Sequence, residues 1–235
     1  VHFLVATAVP VERDAVARAF PGPGTDVSRP GIALHRLPGG PDLLAAGVGP
    51  ALAAASTAAA LTAAALGGAP YDLVVSAGIG GGFAPHAPVG SLVVADAITA
   101  ADLGAETADG FLPVTELGFG TVTHHPPAGL VSAVADATGA RRGTVLTGST
   151  VTGTAERAAL LRERHPAALA EGMEGFGVAE AAAAHGVPVL ELRAVSNPVG
   201  PRDRAAWRIG EALAALTDAF GKLAPVLTSW KPHER

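Results

Sequence analysis

Apolar residues along this chain gather into short runs set apart by Gly and Pro, and the runs alternate between strand-like and helix-like spacing. HFLVATAV (2–9) reads as a short buried strand, and VERDAVARAF (11–20) after it has the helical pattern. PGPGTDVSRPG (21–31) is a turn-rich link. IALHRLPGGPDLLAAGVG (32–49) predicts two strands joined at Pro38-Gly39-Gly40. PALAAASTAAALTAAAL (50–66) predicts a helix with Pro50 in its first turn, a placement helices tolerate. YDLVVSAGIGGGF (71–83) is a strand running into a glycine-rich turn, and SLVVADAITAADLG (91–104) a further strand. Residues 102–123 are loop-like.

Past that loop the alternation resumes. PAGLVSAVADAT (127–138) predicts a helix, RRGTVLTGSTV (141–151) a strand and TAERAALLRERHP (154–166) a helix. Between Leu169 and Trp207, Glu174 sits in a Gly-flanked turn that opens an Ala-rich helix, and Gly186 breaks that helix before the apolar strand VPVLELRAVS. The strand carries Arg193, Ser196 and Asn197 toward its far end. A final amphipathic helix covers 205–223. Strands alternating with helices predict an α/β fold, a three-layer α/β/α sandwich around a central twisted mixed sheet. No linker or repeat interrupts 1–235, so one domain is expected. Open α/β sheets place ligands beyond the carboxyl ends of their strands, where these polar groups collect.

Composition narrows the function classes. Almost half the residues are apolar, mostly Ala, Val and Leu, with seven Phe, two Trp and one Tyr, which favours close helix-on-sheet packing. A formal charge of -5 and the lack of a basic run give no reason to expect nucleic acid or a membrane surface as partner. The absence of cysteine excludes disulfides and a thiolate nucleophile. No signal pattern precedes the first strand, and no uninterrupted apolar run reaches about 18 residues, so a soluble, cytoplasmic protein is expected.

Two glycine clusters follow strands: GIGGGF (78–83) and GVGPA (47–51). Neither fits G-x-G-x-x-G, because Phe83 and Leu52 occupy the third glycine position, and no Gly-Lys-Ser/Thr exists. Dinucleotide and P-loop triphosphate chemistry are therefore disfavoured. A turn whose amides approach a ligand remains open for SAGIGGG. Glu12, at the start of the first helix, is by itself an ordinary helix-start carboxylate. Together with Glu174 and Arg193 at other strand–helix junctions it gains a catalytic reading. Hydrolysis at a sugar carbon passes through an oxocarbenium-like state that carboxylates stabilise. His124-His125 is followed by two prolines, and the remaining histidines have no ligand spacing, so no metal is expected.

The opening strand with Glu12, SAGIGGGFAPHAPVGSLVVAD, and GMEGFGVAEAA with VPVLELRAVSN together resemble the nucleoside phosphorylase/nucleosidase superfamily, in its methylthioadenosine/S-adenosylhomocysteine nucleosidase branch. Within it, SNPVGPRDRAAW is most similar to the futalosine hydrolases of menaquinone biosynthesis. The resemblance implies a phosphorylase-like fold, hydrolysis of an N-glycosidic bond, no cofactor, and a homodimer or higher homo-oligomer. It implies Glu12 as the base that positions water, with Arg193 and Ser76 ordering its surroundings. Met173 and Glu174 would line the ribose, and Ser196 and Asn197 would face the purine. Gly78 would let the backbone approach the ligand.

Two departures bear on substrate. Adenine-releasing nucleosidases carry Asp at the position of Asn197, and Glu at that of Gly172, where this chain has Glu171 one step earlier. The role of Glu171 is left open. A carboxamide offers one acceptor and one donor. Its oxygen can accept from a protonated N7 while its nitrogen donates to a 6-oxo group. Facing adenine's amino group it would leave a donor unsatisfied, at about 1–3 kcal/mol. Asn197 thus favours a 6-oxopurine such as the hypoxanthine of futalosine. Arg202 or Arg204 suits the carboxylate at the far end of futalosine, with Trp207 or Phe176 against its ring. The competing reading is that Arg202 and Arg204 only cap and solvate the last helix. A purine nucleoside phosphorylase, an adenine-releasing nucleosidase acting on methylthioadenosine or aminodeoxyfutalosine, and a non-catalytic nucleoside-binding protein are the alternatives. The first needs phosphate-binding cations that SAGIGGGF does not bring, and Asn197 opposes the second. Retention of both Glu12 and Glu174 opposes the third.

Overall fold

A computed structural model describes residues 1–231. The first half runs β1 (Phe3–Thr7), α1 (Pro10–Ala17), β2 (Thr25–Arg29), β3 (Ile32–Arg36), β4 (Asp42–Ala45), α2 (Pro50–Leu66) and β5 (Leu73–Gly82). It continues with β6 (Leu92–Ala100), β7 (Gly104–Thr107), β8 (Gly110–Pro113), β9 (Thr123–His124) and α3 (Ala128–Thr138). The last third holds β10 (Arg141–Thr147), α4 (Ala155–Arg164), β11 (Ala168–Gly172), α5 (Gly175–Ala184) and β12 (Val189–Pro198). A 3-10 turn at Arg204–Ala206 leads into α6 (Ile209–Ser229).

The main sheet is mixed, in the order β11-β10-β6-β12-β5-β1-β4-β3-β2. Strands β1, β5 and β12 lie side by side in parallel, whereas β12 meets β6 antiparallel. Their opening residues, 3–6, 73–75 and 189–190, are apolar because helices cover both faces. Val74, Ala179 and Ala182 belong to one core, on the face covered by α2 and α5; Val75, Leu190, Leu216 and Phe220 belong to the other, under α1, α3 and α6. The expected three layers around a mixed sheet are present. No helix among the described residues is long and apolar enough to cross a membrane.

The structure corrects several boundaries. The glycine-rich "turn" of 78–82 is strand: β5 stays paired with β12 from Arg193↔Gly78 to Pro198↔Gly82, and Gly81 and Gly82 also pair with Glu171 and Ala170 of β11. Backbone bonds from two neighbours hold a segment whose side chains give no strand signal. The 21–31 link contains β2, paired with β3, and the 102–123 loop contains the β7–β8 hairpin. The last helix runs on to Ser229, through Pro225.

One irregularity decides the site. The β12–β5 register shifts between Val195 and Asn197, which leaves Ser196 as the extra residue of a bulge. In a regular strand, neighbours point to opposite faces. With the bulge, Ser196 and Asn197 both line one cleft.

Candidate active site

That cleft, of about 560 Å³, lies where the ends of β1, β5, β11 and β12 meet. Of the residues singled out from sequence, Glu12, Met173, Glu174, Ser196, Asn197, Arg202, Arg204 and Trp207 all line it. Residues so far apart in the chain converge because the parallel neighbours β1, β5 and β12 place their carboxyl ends together, and β11 meets the end of β5 antiparallel.

Glu12 occupies the first turn of α1 yet is only 3% exposed. Its Oε2 accepts from the backbone N–H of Ala8 (3.0 Å) and of Val9 (3.3 Å), and its Oε1 from that of Ile79 (2.9 Å). Burial pushes its carboxyl up from the ordinary 4.5; the Ile79 N–H and the Arg193 charge pull the other way without reversing it. Glu174, which opens α5, accepts from the N–H of Gly49 and of Met173, each at 3.3 Å. Both carboxylates are thus fixed by backbone donors from separate elements.

Arg193 and Ser76 stand behind the cleft wall. Arg193 is 1% exposed, and its Nη1 donates to Glu174 Oε2 and its Nη2 to Ser76 Oγ, each at 3.3 Å. Three carboxylates surround the guanidinium and hold it protonated. Gly78 is not among the residues that line the cleft. A Cβ there would stand 2.7 Å from Glu12 Oε1 and 2.8 Å from Arg193 Nη1, so this glycine makes room for the cluster itself. Phe176 is also displaced from its expected place. Its N–H donates to Thr147 Oγ1 (2.8 Å), and its ring packs in the α2–α5 core with His124 at 5.3 Å. It forms no part of the cleft wall.

At the β12 bulge, Ser196 Oγ donates to Asn197 Oδ1 (2.8 Å), and Asn197 Nδ2 donates to Pro198 O (3.1 Å). These contacts orient the amide and leave it one lone pair and one N–H. Glu171 lines the wall, with Oε1 and Oε2 taking the N–H (3.0 Å) and hydroxyl (2.6 Å) of Thr152. Burial raises its carboxyl pKa against those hydrogen bonds. At the rim the exposed Arg202 guanidinium lies 5.7 Å from the Trp207 ring centroid. Sequence reasoning passed over Thr152 and over Glu191, whose Oε1 accepts from Arg193 Nε at 2.8 Å. The available signal for Glu191 was a lone acid in an apolar strand, two residues and hence one face from Arg193.

The model of the phosphorylase superfamily matches residues 4–228. The chain belongs to that superfamily. Over 234 residues, all of both chains, it is 90% identical to a futalosine hydrolase of Streptomyces coelicolor. A futalosine hydrolase of Acidothermus cellulolyticus is 46% identical over 94% of this chain and 89% of its own. Among solved structures, a methylthioadenosine/S-adenosylhomocysteine nucleosidase of Neisseria meningitidis matches with a TM-score of 0.80 at 20% identity, over 97% of this chain and 99% of its own. A futalosine hydrolase mutant of Helicobacter pylori matches with a TM-score of 0.81 at 17% identity, over 96% and 100%. These last two likenesses speak to the superfamily fold.

Proposed function

We propose that this cleft hydrolyses the N-glycosidic bond of futalosine, releasing hypoxanthine and dehypoxanthine futalosine. The observation that carries the reading is the 90% identity, along the whole chain, to a futalosine hydrolase. Water held by Glu12 attacks the anomeric carbon as the bond to the purine lengthens. Glu174 binds the ribose hydroxyls, beside Met173, and both carboxylates favour the cationic sugar electrostatically. The free lone pair and N–H of Asn197 match a protonated N7 and a 6-oxo group, with Ser196 holding the amide. Arg202 and Arg204 reach the carboxylate at the far end of the substrate, and Trp207 its ring.

Phosphorolysis is disfavoured by the same geometry. The buried cation Arg193 is already engaged by Glu191 and Glu174. We further read the reaction as a step of menaquinone biosynthesis in the cytoplasm, by a homodimer or higher homo-oligomer that needs no cofactor. The exposed Val11, Val48 and Leu52, on segments that border the cleft, support self-association.

Chromatography after incubation with futalosine, inosine and methylthioadenosine, each with and without phosphate, tests this. Hypoxanthine is expected from futalosine without phosphate. Release only when phosphate is present would make the protein a phosphorylase, and adenine release would overturn the reading of Asn197.

A further inference from the structure

Glu191 is, among the described residues, the most deeply buried charged group that the proposed chemistry does not use. It is fully buried near the start of β12, with Oε1 on Arg193 Nε and with Oε2 unpartnered among the described residues. The first residue of α5 accommodates it, since a Cβ on Gly175 would collide with both carboxylate oxygens. A carboxylate without a full set of donors is costly in such a place. Burial pushes its carboxyl up, and what pulls it back is its one ionic partner among the described residues, the guanidinium that borders Glu12 and Glu174.

The donors of Arg193 are distributed with little left over. Nε serves Glu191, Nη1 serves Glu174 (3.3 Å) and Ile79 O (3.4 Å), and Nη2 serves Ser76. Two carboxylates therefore bind one cation, and the group beneath the cleft carries no free positive charge. We propose that Glu191 is a positioning and specificity-determining residue: it clamps and neutralises Arg193, so that the guanidinium orders Glu174 and Glu12 and is withheld from phosphate. The inference rests on the hydrolytic reading above and supplies its cause. In phosphorolysis a phosphate oxygen bonds to the anomeric carbon while the C–N pair leaves with the purine, which takes up a proton. A dianion approaching that carbon needs an uncompensated cation nearby, and Glu191 removes it.

Two variants separate charge from shape. Glu191→Gln keeps an acceptor for Arg193 Nε but makes the cluster one charge less negative. Glu191→Met fills a similar volume and removes the acceptor as well. Inorganic phosphate is titrated calorimetrically into each protein, and futalosine cleavage is followed with and without phosphate across pH. The unsubstituted protein is expected to ignore phosphate. Glu191→Gln should bind it and form the sugar 1-phosphate alongside the hydrolysis product.

The pH profile gives an independent readout. Glu12 is faced by Arg193 from β12 and Glu174 from the β11–α5 junction. Uncompensated positive charge on Arg193 favours ionised Glu12, so the acid limb should move down by about one pH unit in Glu191→Gln. Glu191→Met should in addition lose on the order of 10²-fold in kcat, with KM little changed, because the guanidinium is no longer held. A Glu191→Gln enzyme with wild-type pH limb and no phosphate binding would overturn the proposal. Phosphate binding by the unsubstituted protein would also overturn it, whatever the variants do. Phosphate-independent cleavage by the unsubstituted protein alongside either result keeps the hydrolase reading intact, so the two fail separately.

Discussion

Asn197 and Glu12 line the same cleft with opposite demands on protons. In the proposed reaction Asn197 would work by never exchanging one; Ser196 donates to its Oδ1 at 2.8 Å and so fixes which end of the amide accepts. Asn197→Asp restores a group that can carry a proton to N7 but removes the N–H that meets a 6-oxo group. Futalosine cleavage should fall by about 10- to 100-fold, the equivalent of about 1–3 kcal/mol, while adenine release from methylthioadenosine rises. Equal loss on both substrates in a chromatographic assay would show that the amide does not discriminate between bases. As the proposed base, Glu12 must be ionised to draw a proton from water. Its carboxyl is raised above 4.5, chiefly by burial, so it gains its proton at a higher pH than an exposed glutamate does. The limb on which kcat/KM declines toward acid should therefore lie above the ordinary carboxylate range. Glu12→Gln should remove that limb along with about 10²–10⁴-fold of the rate. A profile still falling with the same limb in Glu12→Gln would assign it to another group, with Glu171 the next to test.

At the scale of elements, β5 and β12 do more for the site than any helix. Gly78 of β5 is bare of a side chain, and the space is taken by Glu12 and Arg193. Gly78→Ala would put a methyl 2.7 Å from Glu12 Oε1 and 2.8 Å from Arg193 Nη1. We expect overpacking to cost about 1–3 kcal/mol in stability, seen as a lower Tm. Displacement of the base should cost on the order of 10²-fold in kcat. A variant with full activity would mean that the carboxylate can shift without consequence. The same strand shows why some of the site was hidden in the sequence. Glycine spacing suggested a ligand-binding turn, because glycine weakens strands on average. Only the pairing with β11 and β12, set by distant residues, makes 78–82 a strand. The bulge at Ser196 is equally invisible to alternation. Glu174, Arg193, Ser196 and Asn197 were legible as polar groups where apolar runs end, whereas Glu12 on its own was not, and Met173 was singled out only through the resemblance to the superfamily. Phe176 was misplaced because a ring two residues beyond Glu174 looks close in sequence, while the first turn of α5 directs it into the core.

For the molecule as a whole, layer order followed directly from alternating apolar runs, since each run needs a helix to cover it. What such runs leave open is which apolar residues stay uncovered. Val11 is 52% exposed, Val48 54% and Leu52 54%, and each lies on a segment bordering the cleft: the start of α1, the loop after β4 and the first turn of α2. Val151, which lines the cleft itself, is 37% exposed. Large aliphatic groups collected at the mouth of a polar site are costly in water, and burying each one fully stabilises by about 1.5–3 kcal/mol. A second copy is the partner always present at equal concentration, and two-fold pairing covers the same patch on both chains. The expected species in light-scattering chromatography is therefore near twice the 23.2 kDa of one chain. Leu52→Glu would place two like charges at such an interface, where an unpaired buried carboxylate costs several kcal/mol, and should shift the protein to monomer. Leu52 does not line the cleft, so its substitution tests assembly rather than chemistry. Hydrolysis retained by the Leu52→Glu monomer would show that one chain holds the complete site, and its loss would show that pairing completes it. A monomeric unsubstituted protein would leave the aliphatic mouth to serve the substrate alone.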